Sequence, residues 1–398
     1  MAKNIIAGLE IGTYRTVLCV GETKEDGGLE LLGVGTHRTT GIRKGLVNDL
    51  QAAKACVKKA LSTTIEQSDI NIWDVFLAVS CGGIYSDTHQ GFLTLNNNAI
   101  TRDDIEMVEE VARKSTPAEG FTVLHTLNRD FSVDNQSGII DPLEMQGEQL
   151  RLEVLSIYAP SNPLQNIANI ASGLQLNVLD TAFSGLCASR AALTPEQRIN
   201  GVLLIDLGAG TTKYTVYRNN MIQTAGAISI GAEHVTNDIS IAFQTNCVDA
   251  EKIKCEAGSA IVDEESSGDR IPVPVSIGFD PKTINRRSLH TVINARMSEL
   301  FEIVRKELLH RKINLRDLNA GVVLTGGGAY LHKVCTLAET VLNLPCRISE
   351  PTGVQGIEKL ENPASYATAI GLLQYGSRTL QKSSGHGFLK LVKGLFSR

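Results

Sequence analysis

The chain has 398 residues, enough for two or three domains with cores of their own. Its hydrophobic content of 42% and charged content of 20% are ordinary for a globular protein, and no apolar run approaches the roughly 20 residues of a membrane span. The net charge of −5 is uneven, because residues 376–398 carry five basic and no acidic side chains, which leaves −10 on the rest. An acidic body argues against nucleic-acid binding, and a basic tail favours an anionic surface as partner.

The amino terminus leads straight into a predicted strand, so we expect no signal peptide. This strand ends in a short turn with Glu10, Gly12 and Thr13, and a second β-prone run follows. The same plan of strand, carboxylate, small-residue turn and strand returns about 196 residues later with Asp206 and Gly208. Glycine lets backbone N–H groups approach an anion, so two facing turns predict a clamp for nucleotide phosphates. Glu10 and Asp206 are predicted to hold the waters of a Mg²⁺ ion.

The segment between the two turns contains two kinds of predicted structure, one with longer elements and one with shorter elements. Apolar spacing predicts helices over 49–65 and 163–174, and strands over 73–79 and 176–182. From 84 to 160 the elements are shorter, and we predict a small inserted α/β subdomain there. Its predicted elements are a helix opened by Thr101 with Asp104 as capping partner, and strands over 91–95, 121–127 and 149–158.

The part after the second turn is predicted to be mostly helical. Its predicted helices are 233–243, 249–257, 289–310, 330–342 and 365–375. The polar stretch 263–274 contains proline and is predicted to be a loop. The stretch 376–386, rich in Ser, Gly and Lys, is predicted to be a linker.

A third glycine cluster narrows the interpretation of the two turns. One glycine turn alone is also typical of an ordinary hairpin. Here a buried-type strand runs into Gly326, Gly327 and Gly328, and a helical pattern follows. Glycines have no side chain, so their backbone can pack directly against a flat adenine or a ribose. The three elements, in this order and spacing, resemble the actin/DnaK/sugar-kinase ATPase superfamily.

Several longer segments resemble one family more closely, the FtsA family of bacterial actin-like division proteins. They are GLEIGT at 8–13, GIRKGLVNDL at 41–50, IGAEHVTNDI at 230–239, DAEKIK at 249–254 and ATAIGLLQYG at 367–376. The resemblance covers essentially the whole chain. It implies an α/β, actin-like ATPase fold of two lobes with duplicated RNase H-like cores, an FtsA-type inserted subdomain and a C-terminal amphipathic helix.

The resemblance also implies a division of the chain. The first-lobe core comprises 1–83 and 161–195, interrupted by the inserted subdomain 84–160. The second lobe is 196–364, and 365–375 is a closing helix of the first lobe. A linker, 376–386, precedes a membrane-targeting amphipathic helix, 387–398.

The resemblance further implies the residues that contact ATP. They are Gly12, Thr13, Tyr14, Arg15, Asp206, Gly208, Gly210, Thr211, Thr212, Lys213, Gly326, Gly327 and Gly328 around the phosphates and adenosine, with Glu251 and Lys254 at the ribose or adenine. Without the resemblance, Glu251 and Lys254 would be an exposed ion pair at helical spacing. Lys213 stands where many relatives carry Asp, and Ala209 replaces the usual glycine. A protonated lysine cannot act as a general base, so we expect slow or absent hydrolysis. The alternative for Lys213 is a side chain that points into solvent.

Two further regions are expected to bind partners. The helix around Arg286, Arg296 and Glu299 is similar to the FtsA region that receives the FtsZ C-terminal tail. Arginine suits this role, because it binds the carboxylates of an acidic peptide bidentately. The alternative is a solvated helix face. At 100° per residue, the tail places Lys390 and Lys393 opposite an apolar arc, which is the pattern of an interfacial helix. The arc comprises Phe388, Leu389, Leu391, Val392, Leu395 and Phe396.

The implied function is a non-enzymatic or slowly hydrolysing, ATP-dependent membrane anchor for FtsZ. We expect it on the cytoplasmic face of the inner membrane at the division septum, as a peripheral protein that forms filaments with itself and contacts other division proteins. One tail should bind anionic lipid weakly, and linked copies far more tightly. Two alternatives are a small-molecule kinase of the same fold and an actin-like pilus-assembly protein. Neither accounts for the basic amphipathic tail.

Overall fold

The computed structural model describes residues 4–95, 99–114, 116–262, 268–273 and 282–385. The first lobe is built on a five-stranded sheet with helices against it. Its elements are β1 (Asn4–Ile11), β2 (Arg15–Thr23), β3 (Leu29–Arg38), β4 (Ile42–Arg43), β5 (Leu46–Val47), α1 (Leu50–Ser68) and β6 (Asp74–Val79). The side chain of Asp49 accepts hydrogen bonds from the N–H groups of Gln51 and Ala52, which fixes the start of α1.

Within the described residues, the predicted inserted subdomain has four strands and one helix. Its elements are β7 (Tyr85–Thr94), α2 (Arg102–Arg113), β8 (Phe121–Val133), β9 (Gln136–Ile139) and β10 (Gln149–Pro160). The capping box of Thr101 and Asp104 is confirmed at the start of α2. The chain then returns to the first lobe through α3 (Ser161–Ser172), β11 (Asn177–Phe183) and α4 (Ser184–Ala192).

The second lobe repeats the plan of the first. Its elements are α5 (Pro195–Asn200), β12 (Val202–Leu207), β13 (Thr212–Arg218), β14 (Met221–Ile228), α6 (Ala232–Ala242), α7 (Cys247–Ala257), β15 (Arg270–Val273), β16 (Lys282–Asn285), α8 (Arg286–His310), β17 (Val322–Thr325), α9 (Val334–Leu342) and β18 (Cys346–Ile348). The strand orders β11-β6-β1-β2-β3 and β18-β17-β12-β13-β14 match, with an antiparallel meander beside two parallel strands in each. The predicted duplication is therefore confirmed.

The insert extends the second sheet although its sequence interrupts the first lobe. Tyr85 on β7 pairs with Gly226 on β14, and the resulting sheet has nine strands. The N–H of Ala227 donates to the carbonyl of Ile84 at 2.9 Å beside this pair. The insert is thus tied by backbone hydrogen bonds to the lobe that follows it.

The last described helix, α10 (Ala367–Gly385), lies between the lobes with α4. Its residues Ile370, Leu372 and Leu373 are buried in the same core as strands of the first sheet. A Cβ on Gly371 would overlap the carbonyl of Cys187, so glycine is required where the two helices touch. The helix therefore packs against the sheet of the first lobe.

Two predictions about local structure are wrong. The predicted linker continues as α10 through Gly385, because its small residues pack: Ser377 is buried and Gly376 lies against the Phe76 ring. The predicted loop 263–274 includes strand β15, whose Ile271 and Val273 are buried. The predicted buried strand over 73–79 is confirmed as β6. The membrane-targeting segment 387–398 lies outside the described residues.

Candidate functional site

The two predicted phosphate turns have one backbone geometry. In the first, the N–H of Gly12 donates to the carbonyl of Arg15 at 3.1 Å, between β1 and β2. In the second, the N–H of Gly208 donates to the carbonyl of Thr211, also at 3.1 Å, between β12 and β13. Each turn therefore closes a hairpin whose first strand ends in a carboxylate.

The two turns meet at the floor of a cleft between the lobes. A Cβ on Gly210 would overlap the Thr13 hydroxyl, so the tips of the turns touch. The Thr211 hydroxyl donates to the carbonyl of Ser80 at 3.0 Å, and this bond ties the second turn to the first lobe. The cleft has a volume of about 960 Å³. That volume lies at the upper end of the range of roughly 300–1,000 Å³ for small-molecule sites.

The predicted nucleotide-binding residues line this cleft with one exception. Those at its wall are Glu10, Gly12, Thr13, Tyr14, Arg15, Asp206, Gly208, Gly210, Thr211, Lys213, Glu251, Lys254, Gly326, Gly327 and Gly328. Thr212 is fully buried, and its hydroxyl donates to the carbonyl of Ile230 at 2.8 Å. Thr212 therefore supports the loop before α6 instead of facing a ligand.

Lys213 is buried in the cleft floor beside the carboxylate of its own hairpin. Its Nζ lies 3.0 Å from Oδ2 of Asp206, and the two side chains are only 5% and 6% exposed. The Thr368 hydroxyl donates to the same carboxylate oxygen at 3.3 Å. The alternative that Lys213 points into solvent is wrong.

Glu10 in the first turn is held differently. Burial raises the pKa of the Glu10 carboxyl to about 7, with the Asp206 charge adding to the rise and the Lys213 and Arg15 charges opposing it. In the hairpin register Glu10 faces Val17, which offers no charge. At neutral pH the Glu10 carboxylate is therefore partly protonated, although the Lys213 and Arg15 charges favour its ionised form.

These contacts bear on the predicted Mg²⁺ site. A hydrated divalent cation needs free carboxylate oxygens, yet Asp206 is already neutralised by Lys213 and bound by Thr368. Within the described residues, no three His, Cys, Asp or Glu side chains form a metal-binding group. The residues present do not fit the ion while Lys213 keeps this position.

The third glycine cluster divides into two packing positions and one open position. Gly326 has φ +83°, and a Cβ there would overlap Oδ1 of Asp206. A Cβ on Gly328 would lie 2.9 Å from Cβ of Leu207. A Cβ on Gly327 would meet no atom within 4 Å, although the residue lines the cleft. Gly327 thus presents bare backbone to a ligand.

Glu251 and Lys254 join two helices at the cleft wall. Lys254 Nζ donates to Oε2 of Glu251 at 2.6 Å, to the Thr236 hydroxyl at 2.8 Å and to the Ala232 carbonyl at 3.1 Å. Burial works to raise the pKa of the Glu251 carboxyl, but the Lys254 charge and the bonds from Lys254 and Thr236 lower it overall. Because Lys254 is buried, the exposed-pair alternative is wrong.

Tyr14 and Arg15 border the cleft through contacts of their own. Arg15 donates to the carbonyl and the hydroxyl of Ser365, both at 3.0 Å, and its guanidinium lies 4.0 Å from the Tyr366 ring centroid. The ring of Tyr14 lies under the Arg38 guanidinium at 3.9 Å. Arg15 therefore fastens the first turn to the segment before α10.

Sequence reasoning missed Lys44, His234 and Thr368 at the cleft. Lys44 has φ 52°, and its Cα is 2.9 Å from where a Gly210 Cβ would lie. His234 accepts a hydrogen bond from the N–H of Gly231 at 3.2 Å. Burial first, and then the Lys44 charge, lowers the pKa of His234. All three lie within the segments that carry the family resemblance, which was the available signal.

The predicted FtsZ-binding residues lie away from the cleft wall, along α8. Arg296 makes a bidentate contact with Asp238 at 2.6 and 3.1 Å, and also pairs with Glu299. Arg286, at the start of the helix, lies 3.2 Å from a carboxylate oxygen of Asp269. Each arginine therefore has a carboxylate partner within the chain.

The fold and the cleft define an actin-like protein, with duplicated lobes and paired glycine turns. MreB5 of Spiroplasma citri bound to ADP is similar, with a TM-score of 0.57 and 15% identity, over 96% of this chain and 99% of that chain. A PilM–PilN type IV pilus biogenesis complex has a TM-score of 0.63 and 16% identity, over 94% of this chain and 98% of that chain. At these identities the likeness shows the fold alone.

The family follows from sequence. The family model for cell division protein FtsA matches residues 203–371, and that for the SHS2 domain inserted in FtsA matches 82–158. The Pseudomonas aeruginosa cell division protein FtsA is 33% identical over 381 residues, 96% of this chain and 90% of that protein. The Escherichia coli K12 protein is 32% identical over 383 residues, 95% and 91%. The chain belongs to the FtsA family, and its predicted insert is confirmed.

Proposed function

We propose that this protein is an ATP-binding, actin-like cell-division protein that polymerises on the cytoplasmic face of the inner membrane and tethers FtsZ filaments to it at the septum. The observation that supports this most is the cleft between paired glycine turns in a chain of the FtsA family. Relatives at 32–33% identity bear the name cell division protein. Family membership favours this function over the kinase and pilus-assembly alternatives.

ATP is the proposed ligand of the cleft. Gly12, Gly208 and Gly210 of the two turns line the cleft where the phosphates would lie, and Gly327 leaves room for a ring. Structures of MreB5 of Spiroplasma citri with ADP and with AMPPNP have the same fold. The Mg²⁺ of the sequence prediction is not part of this proposal, because Lys213 already pairs with Asp206.

Hydrolysis is proposed to be slow or absent. A general base must take a proton from water near the γ-phosphate, and Lys213 in an ion pair has no free lone pair. Glu10 is the other candidate, and burial keeps part of it protonated at neutral pH. Steady turnover on the order of 1 s⁻¹ or more, as in ordinary enzymes, would contradict this part of the proposal.

Tethering of FtsZ is proposed along α8, from its start to about its middle, through Arg286, Arg296 and Glu299. Arg286 makes the cleaner test, since it pairs with the exposed Asp269, whereas Arg296 is held by both Asp238 and Glu299. We expect Arg286→Glu to weaken binding of the FtsZ C-terminal peptide at least tenfold by calorimetry. The matched control is Arg305→Glu on the same helix, which breaks only an exposed pair with Glu302. Equal affinities of the two variants would move the peptide site elsewhere.

Membrane attachment is proposed through residues 387–398. Among the described residues, no helix is long and apolar enough to cross a membrane. The tail sequence has an apolar arc opposite its lysines, which is the pattern of a helix that lies in a membrane interface. One such tail inserts only shallowly into the lipid and binds weakly on its own. Filaments, formed head to tail through lobe faces, would bind tightly because linked tails raise the effective concentration.

A vesicle sedimentation assay tests the proposal as a whole. The full chain with ATP should pellet with anionic vesicles and carry FtsZ with it. The variant without residues 387–398 should still bind ATP and stay in the supernatant with FtsZ. Electron microscopy of lipid monolayers should show filaments. Pelleting of the shortened variant, or only monomers over a wide concentration range, would contradict the attachment or the filament step.

A further inference from the structure

The Lys213 ammonium is a buried cation in the floor of the cleft, beside the carboxylate of the second turn. It lies 3.0 Å from Asp206 and close enough to Glu10 to oppose the rise of that pKa. Its Nζ is also 3.1 Å from the position that a Cβ on Gly208 would take. One ammonium thus pairs with Asp206, acts electrostatically on Glu10 and lies near the backbone of the second turn.

The first hairpin has no counterpart to this lysine. The register pairs Glu10 with Val17, and it pairs Asp206 with Lys213. Because the lobes are duplicated, these two pairs are equivalent positions. The cation that pairs with a turn carboxylate is therefore supplied by the second hairpin and lines the cleft. Arg15 of the first hairpin also lines the cleft, but its guanidinium donates to Ser365.

Exchange of this ammonium for a hydrated Mg²⁺ is unfavourable. Lys213 would have to leave the buried Asp206 carboxylate before the ion's waters could bind there, and separating a buried ion pair is strongly destabilising. An ammonium has three donors, so Lys213 keeps others for a phosphate oxygen after bonding Asp206. Lysine is a common phosphate ligand as a point charge.

We propose that Lys213 takes the place of a divalent cation at the nucleotide phosphates, so that this protein binds ATP with nearly the same affinity with and without Mg²⁺. This inference rests on the proposed binding of ATP in the cleft. It makes Lys213 a specificity-determining residue of the site, since a fixed +1 charge replaces an exchangeable +2 charge.

The first test needs no variant. ATP is titrated into the full chain by calorimetry, once with Mg²⁺ in excess and once with EDTA. We expect the two dissociation constants to differ by less than tenfold. A loss of tenfold or more on chelation overturns the role of Lys213 and leaves ATP binding intact. No binding in either buffer overturns the proposed nucleotide function itself.

The second test removes the ammonium. Lys213→Met should weaken ATP binding in EDTA at least tenfold, and excess Mg²⁺ should restore part of it. Because that variant leaves Asp206 buried without its cation, the double variant Lys213→Met with Asp206→Asn is measured as well, and it should show the same loss in EDTA. Lys24→Met, which removes an exposed pair with Glu30, is the control. Unchanged ATP affinity in EDTA for a folded variant without Lys213 overturns the inference.

Discussion

The two glycine turns share a backbone and differ in how their carboxylates are neutralised. Glu10 faces Val17 across its hairpin, whereas Asp206 faces Lys213. Burial therefore raises the pKa of Glu10 and shifts it toward its protonated form, whereas Asp206 lies 3.0 Å from the Lys213 ammonium. Duplication of the fold fixes where the turn amides lie, but the residue one strand across decides whether a proton or a lysine balances the acid.

The largest expected effect comes from breaking the second turn's ion pair. Lys213→Met leaves Asp206 charged and buried, which should lower the free energy of unfolding by about 3–5 kcal/mol. Urea denaturation measures the change. Adding Asp206→Asn should recover most of it, and Lys24→Met, at an exposed pair, should cost no more than about 1 kcal/mol. A Lys213→Met variant as stable as Lys24→Met would contradict the buried pair.

Gly326 and Gly328 of the third glycine cluster pack against Asp206 and Leu207 of the second turn, so variants of this cluster test the second turn separately from the first. Gly326→Ala places a Cβ 2.7 Å from the Leu207 carbonyl oxygen at a positive φ, and should cost roughly 2–3 kcal/mol of stability. Gly327→Val should leave stability unchanged, because its Cβ meets open cleft, and should weaken ATP binding. Thermal unfolding and calorimetry separate the two effects. Unchanged ATP affinity in a folded Gly327→Val variant would contradict the placement of the adenine or ribose ring at Gly327.

The first turn should show itself in the pH dependence of stability. The pKa of Glu10 is about 7 in the folded chain, against an ordinary value of 4.5. Stability from its bound proton is therefore fully present below pH 4.5 and lost as the pH rises through 7. Between pH 6 and 8.5 the ionisation of Glu10 should lower the free energy of unfolding by roughly 1 kcal/mol. The Glu10→Gln variant should not show this loss, whereas the control Glu25→Gln, on an exposed loop, should show it. Parallel pH profiles for both variants would contradict the assignment.

The smallest expected effect concerns the hydroxyl that supports Asp206. Thr368→Val removes the 3.3 Å bond to Oδ2 with little change of shape. The loss should be about 1 kcal/mol or less, the usual net value of one hydrogen bond. Combined with Lys213→Met it should be non-additive, since both act on one carboxylate. Strict additivity would mean that the two contacts are independent.

The sequence predicted the hairpins well because alternating apolar residues and glycine turns are local signals. The place of Lys213 could not be predicted, since it depends on the register of β13 and on burial by the facing lobe. The error at 376–386 has a similar cause: small residues suit both a flexible linker and a helix in close contact with Phe76. Lys254 also looked exposed, because helical spacing shows its partner Glu251 but not the Thr236 hydroxyl from α6.

The claim that both turns hold one nucleotide is tested most directly by hydrogen exchange of the full chain with and without ATP. Amides in peptides covering residues 10–15 and 206–212 should both gain protection, and the dose dependence should be the same for the two. Peptides from the insert, such as 121–133, serve as the reference. Protection of one turn alone, or of neither at saturating ATP, would contradict the clamp.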